Sequence, residues 1–115
     1  MATAFKPADW VHSTNIYEVN LRQYTAEGTF AAFAKHLPRL KDMGVEMIWF
    51  MPVTPISLKN RKGTLGSYYA CSSYVEINPE FGTMDEFKEL HFIPKAHFAI
   101  PLNPLIDPVI YVYLF

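Results

Sequence analysis

Cysteine is nearly absent from these 115 residues: Cys71 is the only one. A single thiol cannot build an internal disulfide framework or a multi-cysteine zinc site. Charge is also scarce, at 18% of residues, and the 10 basic and 11 acidic side chains leave a net charge of −1. A nucleic-acid-binding module usually carries a basic surplus, so this balance argues against one. No stretch reaches the roughly 18 uninterrupted apolar residues of a membrane-spanning helix. The nearest, residues 98–115, is interrupted by Asn103, Asp107 and three prolines. The opening Met1–Trp10 lacks an apolar run behind a positive start, so no secretory signal is expected and the cytoplasm is the default address.

Apolar side chains are plentiful: 50% of residues are hydrophobic and 16% aromatic. That composition excludes intrinsic disorder. The length suits one small domain or a piece of a larger one, able to bury roughly two-thirds of its unfolded surface. The nine prolines are unevenly spread, with Pro94, Pro101, Pro104 and Pro108 all in the last part of the chain.

The first regular segment is Ile16–Arg22. Tyr17, Val19 and Leu21 alternate with Glu18, Asn20 and Arg22, which predicts a strand with one apolar face. Thr29 then offers an N-cap. Phe30, Phe33, Ala34, Leu37 and Leu40 follow at helical spacing, with Lys35, Arg39 and Lys41 on the other side. Gly44 stands where a helix-terminating glycine belongs. Pro38 lacks a backbone donor and is expected to kink or shorten this helix. Val45–Met51 is nearly all apolar, as a buried parallel strand would be. The three segments together predict a βαβ unit with a right-handed crossover.

Residues 54–67 are polar and read as a long loop of the functional kind. Thr83-Met-Asp-Glu86 is a capping box that opens a second helix, with Phe87 and Leu90 as its apolar side. His91–Phe115 holds the four prolines, which exclude helix over most of that segment, and Lys95 and Asp107 are its only formal charges. Val109–Phe115 is uncharged and strongly β-prone.

A βαβ opening with a long loop after its second strand fits the start of a (β/α)8 barrel, where function sits on such loops. Particular residues go further. Ile16-Tyr-Glu-Val-Asn-Leu-Arg-Gln-Tyr24, Leu37-Pro-Arg-Leu-Lys-Asp-Met-Gly44 and Ile48-Trp-Phe-Met-Pro52 resemble the first strand, first helix and second strand of the alpha-amylase family of glycoside hydrolases. Gly66-Ser-Tyr-Tyr-Ala-Cys-Ser-Ser-Tyr74 and Asn78-Pro-Glu-Phe-Gly-Thr83 follow in the family's order. The resemblance covers about residues 8–90. It implies an α/β fold, the N-terminal part of a (β/α)8 barrel reaching about two βα units, with residues 91–115 as a divergent, proline-rich tail.

The resemblance also implies chemistry: retaining hydrolysis or transfer at α-glucosidic bonds, with an α-glucan or maltooligosaccharide as the partner. In the family, the first Tyr of a Tyr-x4-Tyr pattern stacks on the sugar at the cleavage site. Tyr69 holds that place, and an aromatic face suits the C–H face of a pyranose. Ser73 precedes the second Tyr, at a position often filled by Asp, and is the second substrate-binding candidate. Ala70 follows the first Tyr, where members that trim single glucose units often carry Asp, and so leans towards longer glucans.

Retaining glycosidases need two carboxylates roughly 5–5.5 Å apart. The resemblance places them on strands four and five, beyond what these residues match, so no catalytic residue is assigned. The Asp-x-x-x-Asn-His motif of strand three, which supplies the family's usual calcium ligand, has no counterpart after Leu90. No metal or other cofactor is therefore expected in this chain. A frameshift, a truncated reading frame or an altered splice would each produce such a sequence. The alternatives to an inactive enzyme fragment are a non-enzymatic or barrel-complementing piece, self-associating through an unfinished barrel edge, and an unstable coding remnant.

Other residues carry plainer expectations. Tyr74, Trp10 and Trp49 read as packing. Glu18 and Arg22 are expected to pair within the sheet. Lys59, Arg61 and Lys62 read as a solvated loop. His12, His36, His91 and His97 have no metal-ligand spacing, and Cys71 reads as a packed or idle thiol.

Overall fold

The computed structural model describes residues 6–7 and 9–90 and the backbone of residues 111–114. A short 3-10 turn, Asp9–Ser13, leads into β1, Ile16–Val19. β1 lies parallel to β2, Met47–Phe50, in the register Ile16↔Met47 to Val19↔Phe50. Below the strands, Asn15 ties the start of β1 to the chain that leads into β2. Its Nδ2 donates to the Gly44 carbonyl at 2.8 Å and its Oδ1 accepts from the Glu46 N–H at 3.1 Å. Above them, the Met51 N–H donates to the Val19 carbonyl at 2.9 Å and continues the pairing.

The first strand ends sooner than its alternation predicts. Leu21 and Arg22 belong to a helical turn, α1, Leu21–Tyr24. Leu21 is buried against the helices, and the turn redirects the chain while keeping that burial. The alternation cannot reveal this, because a single turn also returns residues to the same side.

The predicted helix is present in two pieces, α2 (Phe30–Ala34) and α3 (Leu37–Asp42). Thr29 caps the first, its Oγ1 accepting from the Ala32 N–H at 3.3 Å. The break falls just before Pro38, which sits in the first turn of α3 where a missing N–H leaves no carbonyl unpaired. Gly44 ends α3 at φ +91°, a conformation that favours glycine.

The βαβ unit encloses an aromatic core. Phe30, Phe33, Phe50 and Phe81 are almost wholly buried. Phe33 meets Phe50 edge-on at 5.1 Å between centroids, and Phe30 lies 5.2 Å from Phe87. Burial of such rings is worth roughly 1.5–3 kcal/mol each. Phe87 comes from α4, Met84–Glu89, whose capping box is complete. The Glu86 N–H donates to Thr83 Oγ1 at 3.2 Å, and the Thr83 N–H donates to Glu86 Oε2 at 2.7 Å.

Within the β-prone end of the chain, Tyr111–Leu114 forms β3. It pairs antiparallel with β2, giving the sheet order β1-β2-β3. The Trp10 side chain, read as packing, is not described, and Lys95 and Asp107 lie outside the described residues. Trp49, expected in the core, is only half-buried. Among the described residues, no helix is long and apolar enough to cross a membrane.

Candidate functional site

The end of β1 and the long connection after β2 meet at one place. The connection runs from Met51 to Thr83 and is pinned at both ends. Asn78 N–H donates to the Val53 carbonyl at 2.8 Å, and Phe30 N–H donates to the Phe81 carbonyl at 2.9 Å. In between, the chain makes a closed loop. Ile56 and Cys71 form an isolated antiparallel bridge at its neck. The Ser57 N–H donates to Ala70 O at 2.7 Å, and the Ser72 N–H donates to Pro55 O at 2.8 Å.

Two adjacent tyrosines leave this loop with different surroundings. Tyr68 is half-buried and anchors the loop: its hydroxyl donates to Asn20 Oδ1 at 3.1 Å, at the end of β1. Its ring lies under the Arg22 guanidinium, 4.6 Å from centroid to Cζ. Tyr69 is 57% exposed, with its backbone N–H donating to Ser67 Oγ at 3.3 Å. The anchored ring thus leaves the neighbouring ring facing solvent on a fixed backbone. Ser73 is half-buried, and its hydroxyl accepts from the Val75 N–H at 3.4 Å. Tyr74, expected to pack, is instead 55% exposed, because the chain past the neck runs along the surface.

Arg22 does not pair with Glu18, as the strand alternation suggested. Once α1 replaces the strand end, Arg22 turns towards the loop and grips Glu80. Its Nε donates to Oε1, and its Nη2 donates to Oε2 at 2.8 Å. The hydrogen bond to Glu80 raises the Arg22 pKa further, against an opposing effect of burial. Arg61 is also not a freely solvated cation. It is half-buried and donates to three carbonyls of its own loop. Asn20, Tyr68, Arg22, Glu80 and Arg61 are the structural residues of this site that sequence reasoning missed. The only signal in the chain was the opposite charge of Arg22 and Glu80, which many other pairs share.

The arrangement offers an exposed aromatic face at the C-terminal end of two parallel strands, where α/β sheets place their ligands. Among the described residues, no group of three or more His, Cys, Asp or Glu could hold a metal ion.

The model of the alpha amylase catalytic domain matches residues 6–99. An alpha-1,4-glucan:maltose-1-phosphate maltosyltransferase of Burkholderia pseudomallei is 33% identical over 67% of this chain and 9% of its own length. Among solved structures, an alpha-amylase from Lactobacillus plantarum is 49% identical with a TM-score of 0.63, over 65% of this chain and 18% of that one. A noncanonic maltogenic alpha-amylase from Thermotoga neapolitana is 40% identical with a TM-score of 0.66, over 70% and 20%. The chain therefore spans only between 9% and 20% of the length of these relatives.

Proposed function

The chain belongs to the alpha-amylase catalytic-domain family, and from that premise we propose that it supplies the α-glucan-binding start of such an enzyme's (β/α)8 barrel, with Tyr69 as the sugar platform. The observation that carries this reading is the exposed Tyr69 ring, held beside the anchored Tyr68 at the C-terminal end of β1 and β2. A flat apolar face in that place covers the C–H face of a glucose unit and holds it for the carboxylates of a retaining reaction. Ser73 is the second contact, a hydroxyl just outside the loop neck. The relatives' names support an α-glucan or a maltose derivative as the sugar.

By itself the chain is proposed to turn over no glucan. The family's two carboxylates come from later strands, and a retaining reaction needs both. No calcium site is proposed for this chain, because the strand-three motif that supplies the family's usual calcium ligand has no counterpart after Leu90.

Titration of the purified chain with maltoheptaose, followed by NMR, tests the platform. One stacked ring contributes about 1 kcal/mol, short of the roughly 4 kcal/mol of a millimolar complex, so binding is expected to be weaker than millimolar and to fall about fivefold in Tyr69→Ala. Undiminished binding in that variant would overturn the reading. Starch hydrolysis is expected to match a mock purification. Turnover that Tyr69→Ala abolishes would overturn the proposed inactivity.

A second reading is self-association. The order β1-β2-β3 leaves β1 paired on one side only among the described residues, and an open strand edge invites pairing. Gel filtration at two concentrations tests it; an unchanged monomer mass at both rejects it.

A further inference from the structure

The loop that carries Tyr69 is closed from the inside by one side chain. The Arg61 guanidinium donates from Nη2 to the Ile56 carbonyl at 2.8 Å and from Nε to the Ser57 carbonyl at 3.1 Å. Its Nη1 reaches the Thr64 carbonyl at 3.4 Å. Two of these acceptors belong to the loop's neck, and the third lies on its far side. A guanidinium can serve three acceptors in one plane, whereas an ammonium concentrates its donors at one point.

The backbone around Arg61 is shaped to admit it. Gly66 sits at φ +72°, and a Cβ there would stand 2.8 Å from Ile56 Cγ2 and 3.1 Å from Arg61 Cγ. A side chain at position 66 would therefore press on Ile56 and on the Arg61 stem. On the outgoing strand of the neck, Ala70 and Ser72 complete the pairing, and Tyr69 is the residue directly before it.

We infer that Arg61 is a positioning residue for Tyr69: it fixes the neck at Ile56 and Ser57, and the neck fixes the backbone from which the exposed ring projects. The inference rests on the platform reading for its functional half, while its structural half stands on the hydrogen bonds alone. Arg61 touches no sugar. It acts on affinity by holding the ring in place before the ligand arrives, which lowers the ordering loss on binding.

Cys71 reports the state of the neck, because it is the chain's only thiol and forms the bridge with Ile56. Its reaction rate with a disulfide reagent such as DTNB is measured on the full chain, with circular dichroism as a check on folding. Arg61→Ala is expected to raise the rate about tenfold, the scale of one lost charge-assisted hydrogen bond. Arg61→Lys should give an intermediate rate and Lys62→Ala the wild-type rate, which separates the fork from the charge. In the maltoheptaose titration, Arg61→Ala should weaken binding, and adding it to Tyr69→Ala should cause no further loss.

A wild-type thiol rate in a folded Arg61→Ala chain would overturn the inference. So would a raised rate with unchanged maltoheptaose affinity. Should Arg61→Ala fail to fold, Arg61→Lys decides by the same two readouts. A wild-type chain that binds no maltoheptaose overturns the platform reading instead, and the thiol rates still decide whether Arg61 holds the neck.

Discussion

Arg22 and Glu80 stand 58 residues apart in the chain and grip each other through two parallel hydrogen bonds. The pair joins the turn after β1 to the segment just before α4. It thereby fixes both sides of the Tyr68 anchor, since Arg22 also covers that ring. Such a fork-to-fork contact is directional as well as attractive. Glu80 is 38% exposed in its side chain, so solvent screens part of the attraction.

Glu80→Gln is expected to lower stability by about 1 kcal/mol, the upper range for a partly exposed ion pair. Arg22→Lys should lose a similar amount, because it keeps the charge but not the fork. Urea denaturation at low and high salt checks both. A loss that does not shrink in high salt would contradict the electrostatic account.

Phe33 is fully buried and meets both Tyr24 and Phe50 edge-on. Phe33→Ala removes the centre of the aromatic core and should cost about 3–5 kcal/mol. A small domain has only about 5–15 kcal/mol in total. The variant should therefore show a much lower or non-cooperative melt by circular dichroism.

Thr83→Ala removes the Oγ1 acceptor for the Glu86 N–H at the start of α4. The expected loss is about 1 kcal/mol. Thr83→Ser keeps the acceptor and should restore most of it. Equal losses in the two variants would place the effect in the threonine methyl group rather than in the cap.

Tyr24 has its pKa raised chiefly by burial, with a hydrogen bond to Tyr17 adding to the effect and Arg39 opposing it. The fold therefore favours the neutral phenol. Its contribution is complete below the unfolded value of about 10 and is lost as pH rises through the higher folded value. Urea melts at about pH 8 and about pH 11 should show an alkaline loss that is smaller in Tyr24→Phe. A loss of the same size in that variant would assign the alkaline effect to other groups.

Much of the fold was legible because its signals are local. The spacing of Phe30, Phe33, Leu37 and Leu40 marks a helix, and Pro38 marks its break. Thr83 and Glu86 announce a capping box at a spacing of three, and both hydrogen bonds form. The apolar run around Met47–Phe50 marks the buried strand that pairs in parallel with β1. That β1 ends at Val19, with Leu21 already in α1, was not legible, because one helical turn also leaves the Leu21 side chain buried.

The sequence alone determined the order strand, helix, strand, helix, the caps, most of the core face and the place of Tyr69 in a family pattern, since each rests on residues a few positions apart. Only the tertiary structure decided that Arg22 reaches Glu80 and not Glu18. It also decided that Tyr68 is held while Tyr69 faces solvent, and that Arg61 closes a loop that composition described as solvated. The physical reason is that a polar side chain's partner depends on where the backbone carries it. Hydrophobic spacing says which face a residue takes, but it does not say which distant donor or acceptor the folded chain will bring within about 3 Å.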